Sequence, residues 1–130
     1  MIKRIKKLNH IEEIVKNAAI IREFDPQPFR KMMLDSFTRD DIYIGEERVK
    51  GELLSFMFAT IENFDGENSA FIQVGFSKNG GHADLLLADL ILWAKSNNLK
   101  TIFFMTKRNP KGFERKYNFK ECYKVMKRSI

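Results

Sequence analysis

The sequence predicts an α+β fold in which a mixed, mostly antiparallel sheet carries helices on both faces. Three observations predict it. The segments between Ile42 and Phe76 are rich in β-branched and aromatic residues and broken by turn chemistry, which reads as an antiparallel meander. A strand and two helices precede that meander, and a long apolar helix, a short strand, a short helix and a last strand follow it. Apolar elements in this order bury their surface only when helices cover both faces of the sheet. At 130 residues the chain has room for one core, so residues 1–130 are expected to form a single domain.

The elements follow in order. Ile2, Ile5 and Leu8 among lysines predict a short amphipathic strand. Asn9, with Glu12 three residues on, is the expected N-cap of a helix over Ile11–Ile21. Asp25-Pro26-Gln27-Pro28 breaks that helix. The spacing of Phe29, Met32, Met33 and Phe37 predicts a second one whose apolar face needs a sheet to cover. Strands are expected at Ile42–Ile44, Val49–Ile61 and Ala70–Phe76, with turns at Gly45 and at Asn63–Asn68, where Asp65-Gly66 is a strong hairpin signal. From Asp84 to Lys95, apolar residues cover most of a helix circumference, which predicts a largely buried helix ended by Asn97-Asn98. Thr101–Met105 reads as a short buried strand, Pro110 as the first residue of a further helix, and Phe119–Met126 as a closing strand.

Composition narrows the function classes. A hydrophobic share of 44% with 31% charged residues is that of a soluble globular protein. No apolar run approaches the roughly 20 residues of a membrane span, and Met1–Leu8 lacks the apolar stretch of a signal peptide. A cytoplasmic protein with no membrane contact is therefore expected. Cys122 is the lone cysteine and falls in an alternating stretch, so a buried, inert thiol is expected there. His10 and His82 have no metal-ligand spacing, and no metal is predicted. The net charge of +6 favours polyanionic partners, among them phosphorylated cofactors. Nucleic acid is not the expected one, because the phenylalanines read as core and do not interleave with basic residues on one sheet face.

The most informative stretch is Ser77-Lys78-Asn79-Gly80-Gly81-His82-Ala83, between a strand and a helix. Paired glycines permit close approach of main-chain N–H groups to a ligand. The helix start offers unpaired N–H groups with partial positive charge, a natural phosphate seat, and Lys78 adds a cation. A tight connection with no ligand uses the same residues. The string Lys78-Asn79-Gly80-Gly81-His82-Ala83, followed by Leu85-Leu86 and Trp93-Ala94-Lys95, resembles the signature of the GNAT acetyltransferases. In that signature Arg or Gln, two residues, Gly, one residue, and Gly or Ala succeed one another. Lys78, Gly81 and Ala83 fall on its three fixed positions. Asn109 and Phe113-Glu114-Arg115-Lys116-Tyr117-Asn118-Phe119 look like the family's second motif.

The resemblance implies acetyl-coenzyme A as cofactor and an amine as acceptor, with a GNAT fold over the whole chain. Main-chain groups around Gln73 to Phe76, including Val74 and Phe76, would meet the pantetheine arm, and an N–H near Val74 would face the developing oxyanion. Main-chain N–H groups over Asn79, Gly80, Gly81, His82, Ala83 and Asp84 would cradle the pyrophosphate, with Lys78 as a cation beside it, and Asn109 would face the pantetheine or thioester. His82 falls on the phosphate side as a solvated loop residue. Glu114 stands where the family often has the tyrosine that protonates the departing thiolate, and Asn118 stands where Gly is usual. Tyr117, one helical turn further on, is the remaining candidate acid. Glu62 is the named candidate base, with Glu52 and Gln73 as alternatives. Lys107, Arg108, Lys111, Arg115 and Lys116 form a basic cluster near the implied cofactor. Asp84 would set a negative charge beside the pyrophosphate. These departures keep open a catalytically silent GNAT fold acting through a protein partner or a second copy, since small chains of this kind also resemble GNAT-like bacteriophage proteins, including internal virion proteins.

Overall fold

The computed structural model describes residues 2–4, 8–22, 27–78, 81–105, 111–122 and 126–130. Strand β1 (Ile2–Arg4) leads into helices α1 (Leu8–Arg22) and α2 (Gln27–Asp35). The meander β2 (Ile42–Val49), β3 (Glu52–Phe64) and β4 (Glu67–Ser77) follows. Helix α3 (Ala83–Ser96) then crosses over to β5 (Ile102–Phe103), and α4 (Lys111–Tyr117) comes last. The sheet runs β1-β2-β3-β4-β5 in space, antiparallel except for the parallel β4–β5 pair, which is the pair that α3 connects.

Strand alternation divides the core in two. Ile42, Ile44, Phe56, Phe58 and Val74 meet Ile11, Ile14, Val15 and Met33 of α1 and α2. Tyr43, Met57, Ala59 and Ala70 face the other way, against Leu86, Leu90, Trp93 and Ala94 of α3. Helices thus lie on both faces, as the sequence predicts. Helix α3 departs from its prediction, however. Only one side of it is buried, and Leu85, Ile91 and Leu92 stand in solvent.

Other differences have local causes. Asn9 lies inside the first turn of α1, which starts at Leu8, and so does not cap it. Gly45 is not a turn but the middle of β2. A Cβ there would stand 2.2 Å from the Tyr43 hydroxyl, so glycine is needed for that ring to lie along its own strand. The hairpin turn falls instead at Lys50-Gly51, both in the left-handed region, as are Asp65-Gly66 in the hairpin the sequence predicts. The strand expected over Thr101–Met105 shrinks to two half-buried residues. A two-residue β5 offers little ladder to a further strand, and the described residues of Phe119–Met126 form none. Cys122 is accordingly exposed, not buried. Pro110 lies outside the described residues.

Candidate functional site

Parallel strands β4 and β5 pair only at Ala70–Ile102 and Phe71–Phe103. Strand β4 runs on to Ser77, so its last six residues have no neighbour on that side among the described residues. A bulge at Gln73, where β4 has one residue too many for Phe58 and Ala59 of β3, coincides with this parting. Bulges re-aim a strand and occur beside functional sites. Val74 is buried in the α1–α2 core, and Phe76 packs on Phe56 with ring centroids 5.7 Å apart. Both side chains are therefore committed to packing, and only main-chain groups of these residues can serve a ligand in the split.

The loop after β4 is held close to the sheet. Lys78 N–H donates to the Leu54 carbonyl at 2.8 Å, and Gly81 N–H donates to the Lys78 carbonyl at 2.9 Å. A Cβ on Gly81 would stand 2.4 Å from Ser77 Oγ, 3.0 Å from the Lys78 carbonyl and 3.2 Å from the Leu54 carbonyl. Glycine at this position is thus explained by its approach to the protein's own backbone. The Lys78 ammonium lies 3.8 Å from the Glu52 carboxylate, with both groups at the surface. Asn79, Gly80 and Asn109 lie outside the described residues, as does the Glu114 side chain.

A carboxylate that the sequence did not single out stands at the start of α3. His82 is the N-cap residue and makes no side-chain cap of its own. Its N–H instead donates to Glu47 Oε1 at 2.8 Å, and its Nδ1 lies 2.5 Å from Glu47 Oε2. Ser55 Oγ donates to the same carboxylate at 2.9 Å. Glu47 is 2% exposed. Burial pushes its carboxyl up, but the hydrogen bonds from the His82 ring and N–H and from Ser55 outweigh burial and hold it below the usual carboxylate range. An ionised carboxylate in this place also answers the positive end of the α3 dipole. His82 precedes α3 and is solvated, as the sequence predicts, and the structure adds a partner for it. Its side chain is 57% exposed, yet it is tied to Glu47.

Helix α4 closes the other side. Ser77, Gly81, Ala83 and Asp84 share a cleft of about 490 Å³ with Lys116 and Tyr117. Ten lysines and arginines stand against two glutamates in residues 100–130, so the wall opposite the loop belongs to the basic part of the chain. Asn118 follows α4 with φ 59°, a left-handed position that suits Asn almost as well as Gly. The family's usual glycine is thus replaced by a residue of similar backbone freedom.

Glu62 is elsewhere. It pairs across the ladder with Ser69, while Ser77, at the cleft, pairs with Ser55. Eight residues of strand separate Ser69 from Ser77, roughly 26 Å. Glu62 is exposed, and its Oε1 accepts the Thr60 hydroxyl at 3.0 Å, which in turn accepts Gln73 Nε2 at 2.9 Å. Ser77, Gly81 and Ala83 of the loop are therefore brought together with Tyr117, whereas Glu62 and Tyr117 are not. Lys116, from the basic cluster that the sequence places near the cofactor, does line the cleft, whereas Glu47, Ser55 and Thr60 join the site without having been singled out. The one available signal was an acidic pair, Glu46-Glu47, inside a strand.

No protein-family model and no curated protein matches this sequence. Solved structures do match. The aminoglycoside acetyltransferase AAC(6')-Iy, solved with a CoA-containing bisubstrate analogue, superposes with a TM-score of 0.79 at 15% identity, over 100% of this chain and 97% of that one. AAC(6')-Ih from Acinetobacter baumannii gives 0.77 at 15% identity, over 100% and 98%. The chain has the GNAT fold. A predicted acetyltransferase from Clostridium acetobutylicum, solved with acetyl-CoA, superposes on the same fold with a TM-score of 0.75 at 12% identity, over 99% and 96%. Among the described residues no helix is long and apolar enough to cross a membrane.

Proposed function

We propose that residues 1–130 act as a single cytoplasmic GNAT-like domain that binds acetyl-coenzyme A and transfers its acetyl group to an amine. One observation carries this reading: β4 parts from β5 beyond Phe71, beside the N-terminus of α3 and a cleft walled by α4. An extended ligand with an anionic end fits that arrangement, main chain to main chain in the split and phosphate at the helix start. The bound thioester supplies an activated acyl group. AAC(6')-Iy and the C. acetobutylicum protein, both solved with CoA-type ligands, support the reading by their fold.

The residues then take the following roles. The N–H groups of Lys78, Gly81 and His82 already donate to Leu54, Lys78 and Glu47. The main-chain N–H groups of Ala83 and Asp84 therefore hold the pyrophosphate, with the Asn79 and Gly80 main chain, the Lys78 ammonium and the Asn109 side chain as further contacts. A Val74 N–H stands by the carbonyl oxygen as negative charge develops on it. Glu62 takes a proton from the acceptor amine through a bridging water, and its carboxylate is oriented by the Thr60 hydroxyl, which itself accepts Gln73 Nε2. Tyr117 is the hydroxyl that can return a proton to the departing thiolate. In balance, the amine nitrogen gains the acetyl carbon and loses one proton, and the sulfur loses that carbon and gains one.

Thiol release from acetyl-coenzyme A, followed across a panel of amines, tests the proposal. Release that depends on both the amine and Glu62 is expected, and no release with any amine overturns it. A second reading, a silent GNAT fold such as a bacteriophage virion component, is favoured by one feature. Two carboxylates, Glu47 and Asp84, already stand at the phosphate end. Coenzyme binding without turnover is its expected signature.

A further inference from the structure

Helix α3 presses Leu86, Leu90, Trp93 and Ala94 onto the sheet, and the middle of its outer side is exposed and apolar. Leu85 is 48% exposed, Ile91 37% and Leu92 63%. With 3.6 residues per turn, Ala88 points straight away from the core, and those three residues lie within about 60° of it. Scattered single leucines on a surface need no explanation, but a contiguous apolar stripe does. Asp84 and Lys95 sit on the same outward line, one at each end, 11 residues or roughly 16 Å apart. Both are exposed, and among the described residues neither has an ion-pair partner.

A stripe with a negative charge at one end and a positive charge at the other is complementary to itself turned end for end. We propose that the outer face of α3 is a two-fold self-association surface, on which two copies pack antiparallel with Asp84 of each against Lys95 of the other. This register sets Ala88 opposite Ile91, a small side chain against a large one, so that the helices interdigitate. Every contact is made twice, because the interface is isologous. One helix face offers less than the ~800 Å² per partner of a standard interface, so the association is weak, with a dissociation constant on the order of 10–100 μM. Asp84 also lines the cleft, so pairing sets a second copy's ammonium against the carboxylate that would otherwise face a phosphate. That last consequence rests on the proposed coenzyme site; the dimer itself does not.

Sedimentation velocity on the full chain without coenzyme tests it. The wild type is expected to sediment increasingly as a species of twice the chain mass as its concentration rises towards ~1 mM. L92K, D84K and K95D should each weaken association at least about tenfold, which corresponds to 1.4 kcal/mol. An equimolar mixture of D84K and K95D should associate again, since each introduced charge then meets its opposite. All three positions are exposed, so circular dichroism melts should stay cooperative, with L92K close to the wild type and D84K and K95D lowered only by the small cost of a charge that opposes the helix dipole, which separates lost association from lost folding. A wild type that stays monomeric throughout overturns the proposal. So do charge variants that associate like the wild type, or a mixture that stays monomeric. None of these results bears on acetyl transfer.

Discussion

Glu46 and Glu47 are neighbours on β2, are 4% and 2% exposed, and each holds a histidine, yet the two faces of the sheet use them differently. Towards α1, Glu46 meets His10 Nδ1 at 2.6 Å and accepts Arg48 Nε at 2.9 Å, and Arg48 continues to Glu13 at 2.8 Å. Charges alternate inside a network that includes a largely buried guanidinium. Towards α3, Glu47 has no arginine partner among the described residues. A serine hydroxyl, a helix N-terminal N–H and a half-exposed imidazole hold it, and that imidazole belongs to the loop beside the cleft. A buried, hydrogen-bonded carboxylate is thus no mark of function by itself. What separates the two is whether the partners are sealed in the core or shared with an open surface.

The comparison can be broken most forcefully at Glu46. E46A leaves the Arg48 guanidinium short of one buried partner, and a loss of about 3 kcal/mol is expected from chemical denaturation. Coenzyme affinity should stay within about twofold of the wild type, because the change falls on the face away from the cleft.

E47Q is expected to cost less, about 1–2 kcal/mol, since the amide keeps some of the hydrogen bonds. It should also shift the coenzyme dissociation constant by about threefold or more, because it changes the charge at the start of α3. A pH dependence follows. The Glu47 carboxyl is held below its ordinary value in the folded chain, so its contribution is fully present above the ordinary carboxylate range. That contribution is lost as pH falls through the lowered folded value. Denaturation midpoints measured from neutral to acid pH should therefore fall less steeply for E47Q than for the wild type. Equal slopes would mean that Glu47 is not the group that titrates.

The smallest effect is expected at the turn that ends β2. Lys50 adopts φ 51°, where a side chain costs roughly 1 kcal/mol, and K50G should recover about half of that after its own entropic loss. A gain in thermal midpoint without any change in ligand binding would set this position apart from both glutamates.

Much of the fold was legible because its signals are local. Asp65-Gly66 carries its own turn chemistry, and the loop from Lys78 to Ala83 announces a strand-to-helix connection. The Lys50-Gly51 turn was hidden because lysine is a poor left-handed residue, and Gly45 drew the turn assignment instead. Only the Tyr43 ring lying along its own strand explains that glycine. The Glu47–His82 contact spans 35 residues and has no local signature. Cys122 was misplaced because alternation predicts a strand only where a ladder exists to receive it, and β5 pairs over two residues.

Thermal unfolding with and without acetyl-coenzyme A tests the central claim, that the split edge of β4 and the start of α3 hold the coenzyme. A ligand at about a hundred times its dissociation constant should stabilise the chain by about 2.7 kcal/mol, a rise of several degrees. A83E is the informative control. A carboxylate in the first turn suits the helix dipole, so the variant should fold at least as well, but it adds negative charge at the cleft. A wild-type rise that A83E abolishes is the predicted result; no wild-type rise at ~1 mM coenzyme, or an equal rise in both proteins, would contradict the account.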